Sequence, residues 1–252
     1  MSTDTGTRFE RFTDQPTTTP TLVEGLPGLG MVASIAVDQI TEQLGLEQHG
    51  AIVSEDFPPA ASFADGRIRD LVRVYAGEDP PIMTLQSDVP IPPNAIDSLS
   101  ECVHTDLAAE FERAIFIAGA PADSEEEIGR VEGVTTDDDM VARLEDAGVA
   151  LAADPGVIGG ITGGLVADCF HEDVPAAVLI VRSNPYIPDP GAARTLIEEA
   201  LEPLVSFDID TSELKDQAEQ IQEQKEQIAK QLQQYQQGQQ QQAQPSVKGM
   251  YQ

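Results

Sequence analysis

The chain has 252 residues and a formal net charge of -30, with 44 acidic side chains against 14 basic ones. That length suits one large α/β domain with an appendage. That charge excludes nucleic acid and anionic membrane surfaces as partners, because both require a positive footprint. No lysine occurs before Lys215 and tryptophan is absent. Abundant carboxylates with scarce lysine are expected of a protein in molar salt, where the Debye length shrinks to about 3 Å and self-repulsion is screened. The sequence therefore reads as halophilic.

The first twenty residues are polar and threonine-rich, without the positive and apolar regions of a secretory start. They are expected to form a flexible arm over 1–20. No apolar run reaches the roughly 18 residues a membrane helix needs. Cys102 and Cys169 fit buried structural thiols in a reducing compartment. The expected location is cytoplasmic.

An α/β domain is expected over 21–207. "TLVEG" reads as a buried strand, "LPGLG" as a glycine-rich turn, and "MVASIAVDQITEQLG" as a helix closed by Gly45. "GAIVS" is the next strand. "DFPPAASFADGRI" reads as a loop with a turn at Asp65-Gly66, leading into the strands "RDLVRVYAG" and "PPIMTLQSD". A helix follows over "AIDSLSECVHTDLAAEFER", with Ile96, Leu99, Val103, Leu107 and Phe111 at helical spacing. Then come strand "AIFIAGA", an acidic connection, a helix near "DDDMVARLEDAG", strand "VALAA" and a glycine-rich entry into a helix at "PGVIGGITGGLVADCFHED". "PAAVLIVRS" reads as a strand apolar on both faces, and "DPGAARTLIEEALEPLV" as the last helix of the domain. Strands alternating with helices, several continuously apolar, predict a mostly parallel sheet covered on both sides in a three-layer sandwich.

A second helix-forming unit is expected over 211–237. Leu214, Ala218, Ile221, Lys225, Ile228, Leu232 and Tyr235 alternate steps of four and three, a heptad seam interrupted by Lys225. Two readings stand: the seam meets the same helix of another copy, or the helix lies back on its own domain. Gly238 and the glutamine run are expected to end it, leaving a Gln-rich linker and tail over 238–252.

Chemistry is sparse. "GLGMVA", from Gly28 to Ala33, fits G-x-G-x-x-A between a strand and a helix, with Glu55 ending the next strand where a ribose hydroxyl would need an acid. A nucleotide- or nucleoside-handling enzyme built on Gly28-Leu-Gly30 is therefore the rival functional reading. Pro27 and the lack of nearby cations count against it, and glycines there also suit close strand–helix packing. Packing is likewise preferred for "GVIGGITGG". His49, His104 and His171 lack metal-site spacing, and no nucleophile elbow occurs. No catalytic residue, metal or cofactor is assigned.

Three segments in order, "EGLPGLGMVASIAVDQI", "GVIGGITGGL" and "NPYIPDPGAARTLIEEAL", resemble the proteasome assembly chaperone 2 family in its archaeal branch. The resemblance implies an α/β sandwich related to purine nucleoside phosphorylases. It also implies a non-enzymatic, ATP-independent chaperone or partner of the 20S proteasome that acts as a homo-oligomer, a tetramer among the possible states. Some archaeal members end in a hydrophobic residue, a tyrosine and any last residue, a tripeptide that docks between neighbouring α-ring subunits. The matching positions are Met250, Tyr251 and Gln252. A tyrosine supplies a large apolar face at low entropic cost, and a terminal carboxylate can be captured by a lysine or backbone amides.

Overall fold

The computed structural model describes residues 6–16 and 18–242. Eleven strands are present among them: β1 (Arg8–Arg11), β2 (Thr21–Gly25), β3 (Glu47–Val53), β4 (Ser62–Ala64), β5 (Arg67–Arg69), β6 (Val72–Glu78), β7 (Pro81–Ser87), β8 (Arg113–Pro121), β9 (Val131–Thr135), β10 (Ala150–Leu151) and β11 (Ala176–Ser183). The α-helices are α1 (Val32–Gln43), α2 (Ile96–Cys102), α3 (Asp138–Asp146), α4 (Gly160–His171), α5 (Pro190–Leu196), α6 (Glu202–Val205) and α7 (Ser212–Gln242). Nine strands form one sheet in the order β1-β3-β6-β7-β2-β8-β11-β9-β10, and β4 and β5 form a separate hairpin.

The sheet is mixed. Its centre, β7-β2-β8-β11, is parallel, while β1-β3-β6-β7 pair antiparallel. Successive side chains on a strand point to opposite faces, so a strand covered on both sides must be apolar throughout. Val23, Ile115, Ile117, Leu179 and Val181 join one core with α1, α3 and α5. Leu22, Ala114, Phe116 and Val178 join the other with α2 and α4. The two cores on opposite faces give the three layers expected. Cys102 and Cys169 are free and buried in the second core. Burial, reinforced by nearby carboxylates, pushes both thiols up to about 12, so neither is a thiolate at neutral pH. Among the described residues no helix is long and apolar enough to cross a membrane.

Several local expectations are corrected. The stretch 56–68 read as a loop contains β4 and most of β5, which pair as a hairpin around the Asp65-Gly66 turn. Within the stretch read as a flexible arm, Arg8–Arg11 add an edge strand to β3. The helix read from residue 95 to 113 ends early: its last turns widen over Val103–Leu107 and tighten over Ala108–Glu110, and Phe111 is extended. The acidic connection after β8 contains β9, which runs antiparallel to β11. The final helix of the domain is also broken, with a widened turn at Ile197–Leu201 before α6. Pro203 explains that break, since it has no N–H to donate and its ring would meet the carbonyl four residues back.

Backbone crosses backbone closely at β8. A Cβ on Gly119 would stand 2.3 Å from the Leu29 carbonyl oxygen. By contrast, one on Gly156 would meet no atom within 4 Å. Gly119→Ala is expected to lower unfolding free energy by about 1–3 kcal/mol through overpacking, and Gly156→Ala to stay within about 0.5 kcal/mol of the parent. Denaturant titration in high salt checks both.

Candidate functional site

The carboxyl ends of the parallel strands are where open α/β sheets usually hold ligands. Here the β2–α1 turn occupies that position. Gly30 has φ +66, in the left-handed region, and Met31 follows at φ 52. A side chain at Gly30 would stand 2.6 Å from Ser183 Oγ and 3.1 Å from the Asn184 carbonyl oxygen. The Gly30 carbonyl accepts a bond from Asp189 N at 2.9 Å. Asp189 in turn accepts from Asn184 N at 2.8 Å and, as the α5 N-cap, from Ala192 N at 3.0 Å. The space a phosphate would need at Gly30 is thus filled by the loop after β11.

Glu55 fails the rival reading for a topological reason. The next strand in sequence, β3, is separated from β2 by β6 and β7, so its end does not adjoin the turn. The second glycine cluster divides. A Cβ on Gly163 would stand 2.3 Å from the Ile158 carbonyl oxygen, and one on Gly164 would stand 3.2 Å from Ile96. Gly163 and Gly164 are therefore packing residues, whereas Gly156, Gly159 and Gly160 border open space.

Beneath the turn lies a residue that sequence reasoning passed over. Glu24 is fully buried on β2. Its Oε1 accepts from Leu26 N at 2.9 Å, and its Oε2 accepts from Ile117 N at 3.2 Å and from Thr162 Oγ1 at 3.4 Å. Burial pushes its carboxyl up to about 7, and the three donors only partly oppose that. Glu24 thus stitches β2, β8 and the first turn of α4 together. An acidic residue in a strand otherwise buried on both faces was the available signal.

The histidines have structural settings. His49 is 1% exposed, with Nδ1 2.6 Å from Thr13 Oγ1 and Nε2 2.7 Å from Glu110 Oε2. Arg11 also pairs with Glu110, so this network fastens the amino-terminal strand to the end of the α2 segment. His104 and His171 lie in a groove between α2 and α4. No group of three His, Cys, Asp or Glu side chains able to hold a metal occurs among the described residues.

The C-terminal helix starts as part of the domain. Leu214 is 2% exposed in the core shared with α1 and α5. A Cβ on Gly191 would stand 3.5 Å from Ala218 Cβ, so α5 and α7 cross closely there. The connection into α7 is held at several points. Ile209 N donates to Glu202 Oε1 at 3.0 Å, Thr211 Oγ1 donates to Glu198, and Gln39 and Gln43 donate to the Asp210 carbonyl at 3.3 and 3.2 Å. Ala218 and Ile221 are half-buried, and Ile228 is 58% exposed. Leu214 therefore belongs to its own domain rather than to an intermolecular seam. Leu232 and Tyr235 lie on the same helix. Gly238 does not end it, since α7 continues to Gln242; one glycine costs about 1 kcal/mol in a helix and glutamine is a good helix former. Met250, Tyr251 and Gln252 lie outside the described residues.

These features define a three-layer α/β domain in which the loop after β11 covers Gly30, while Pro27 and Gly28 line a cavity of about 460 Å³ and a long helix leaves the surface. Residues 22–229 match the PAC2 family, and the chain belongs to that family. An uncharacterized protein of Methanocaldococcus jannaschii is 27% identical over 202 residues, covering 80% of this chain and 82% of the relative. Among solved structures, Pyrococcus furiosus PbaA, described as an archaeal homolog of proteasome-assembly chaperone, superposes with a TM-score of 0.79 at 23% identity, covering 93% of this chain and 97% of PbaA. Pyrococcus furiosus PbaB, described as an archaeal proteasome activator, gives 0.78 at 19% identity, covering 89% and 99%. At these identities the likeness to PbaA and PbaB is one of fold.

Glu24 generates a pH prediction. Between its ordinary 4.5 and its folded value of about 7, the folded chain keeps a proton that the unfolded chain has lost. Stability from this group therefore falls as pH rises through that window and is level above it. Relative to the parent, Glu24→Gln should gain stability from pH 4.5 to pH 8 by up to about 3 kcal/mol. Paired denaturation curves across that range check the slope.

Proposed function

We propose that this chain is a non-enzymatic, ATP-independent partner of the 20S proteasome, acting in the cytoplasm of a halophile as an assembly chaperone or regulator of the core particle. The observation that carries the reading is the join between domain and tail: a family domain fixes a 31-residue helix, and the chain beyond it ends Met250-Tyr251-Gln252. The descriptions of PbaA and PbaB support the same direction. In this reading the tripeptide docks between neighbouring α-ring subunits, with no cofactor and no nucleic acid.

The dimensions suit a hook. A helix of 31 residues is about 46 Å long at 1.5 Å per residue. The ten residues after Gln242 can extend at most roughly 35 Å further. Met250 and Tyr251 supply the affinity by burial, each about 1.5–3 kcal/mol. The carboxylate contributes little where molar salt screens it. One such tail binds weakly, so several on one homo-oligomer, a tetramer for example, would raise avidity by about 10²–10⁴. Ile221, Ile228, Leu232 and Tyr235 are the positions of α7 proposed to meet the helices of other copies.

The full chain is expected to retain purified archaeal 20S particles in a high-salt pull-down, and a chain ending at Gly249 is expected to lose them while unfolding at the same temperature. Retention by both at equal levels would move the interface away from the tail.

A further inference from the structure

Strands β2 and β7 lie side by side and parallel, yet the chain leaves them toward opposite faces of the sheet. α1, which follows β2, packs in one core, and α2, which follows β7, packs in the other. Where neighbouring parallel strands send their connections to opposite sides, a crevice opens at their carboxyl ends, and open α/β sheets hold ligands there. A cavity of about 460 Å³ occupies that place. Pro27, Gly28, Met31, Ser34 and Asp38 line it after β2, and Pro90 lines it after β7. Its size falls in the range of small-molecule sites.

Packing does not account for the residues around it. Gly28 is extended, at φ -139, and a Cβ there would meet no atom within 4 Å. The first glycine of "GLGMVA" therefore leaves the cavity unfilled, whereas Gly30 is required by its neighbours. Ser34 is 7% exposed, and its Oγ is buried with no hydrogen-bond partner among the described residues. An unpaired buried hydroxyl is costly, so such groups normally find a partner. Met31, Ser34 and Asp38 follow one another at steps of three and four, on one face at the start of α1. Asp38 is exposed at the rim, and no described residue donates a hydrogen bond to its carboxylate. Burial pushes that carboxyl up, Asp88 and Glu42 add to the rise, and Arg73 and Arg69 oppose it. Both arginines are committed elsewhere, bonding Asp88 at 2.6 to 3.0 Å. Ser87 exchanges hydrogen bonds with Val89. What remains for a ligand is one hydroxyl and one carboxylate, and no cation is among the described residues lining the cavity. Phosphates and carboxylates are poor ligands for such a site.

We propose that this cavity binds an alkylammonium group, with the ammonium held by Asp38 and Ser34 and the alkyl chain lying along Pro27, Met31 and Pro90. An ammonium carries three donors and no acceptor, the complement of an unpaired carboxylate and an unpaired hydroxyl. A hydrogen bond to an ionised group is about twice as strong as a neutral one. Contact inside a cleft keeps its strength in molar salt, because screening acts mainly on exposed charges more than a Debye length apart. The net charge of the chain plays no part in the selection. A primary amine in solution and a lysine side chain of a partner protein offer the same group. Nothing here depends on the C-terminal tail, so this site and the proteasome hook succeed or fail separately.

The test follows the Met31 methyl signal of the full chain by NMR in molar KCl as n-butylammonium is added, the signal being identified by its loss in Met31→Leu. A saturable shift in the millimolar range is expected. n-Butanol, with the same chain and no charge, should bind at least about 10-fold more weakly. Asp38→Asn should weaken n-butylammonium binding at least about 10-fold and Ser34→Ala about 2–10-fold. Gly28→Leu should abolish it by filling the cavity, and because its Cβ is unobstructed the variant should unfold at the parent's temperature. Asp97→Asn, on α2 across the sheet, removes the same charge and should change nothing. Binding of Nα-acetyl-lysine amide at least as tight as that of n-butylammonium would make a partner's lysine the ligand, and weaker binding would make it a free amine. No shift at tens of millimolar, equal binding of n-butanol, or parental affinity in Asp38→Asn, Ser34→Ala or Gly28→Leu would overturn the proposal.

Discussion

The fold depends on how tightly the backbone between β2 and α1 is pressed onto the ends of β8 and β11. Gly30 must adopt a left-handed conformation beneath Ser183 and Asn184, and Gly119 must lack a side chain where Leu29 crosses it. These contacts bring α1 down onto β2, where a Cβ on Gly25 would overlap Val37. They also seat α5, because Asp189 bonds the turn while capping that helix. A glycine pattern that in another setting would receive a phosphate is here consumed by packing. The turn is closed at Gly30, while a cavity of about 460 Å³ remains beside Pro27, Gly28 and Met31 at the ends of β2 and β7.

Packing at that point also anchors the start of α7. With α1 and α5 fixed, Leu214 has a buried socket, and Glu198, Glu202, Gln39 and Gln43 hold the chain that leads to it. The first turns of α7 belong to the domain and its later turns do not, as the step from buried Leu214 to exposed Ile228 marks. A helix anchored by Leu214 and exposed by Ile228 fits the proposal that it holds a terminal peptide at a distance from the body.

Much of this was legible from residues alone. Strands β2, β8 and β11 declared themselves by being apolar on both faces, and the Asp65-Gly66 turn by its chemistry. What escaped had physical causes. β1 reads "RFER", with no apolar run, and becomes a strand only by pairing with β3. β9 is hidden in an acidic stretch, because "VEGVT" has too few apolar residues to outweigh its charge. A heptad pattern cannot distinguish a partner helix from the chain's own core, so Leu214 was assigned to the seam along with Ile228. The β4–β5 hairpin looked like a loop because its inward face is polar. The tail's tripeptide was visible only through family resemblance, since three residues carry little periodic information.

The central claim is that the body aims and the tail binds. The most direct test is a cryo-electron-microscopy reconstruction of the full chain bound to the 20S particle in high salt. The account predicts density for Met250, Tyr251 and Gln252 in pockets between α subunits, with the α/β bodies held above the ring on their helices. Bodies packed directly on the ring with those pockets empty would contradict it.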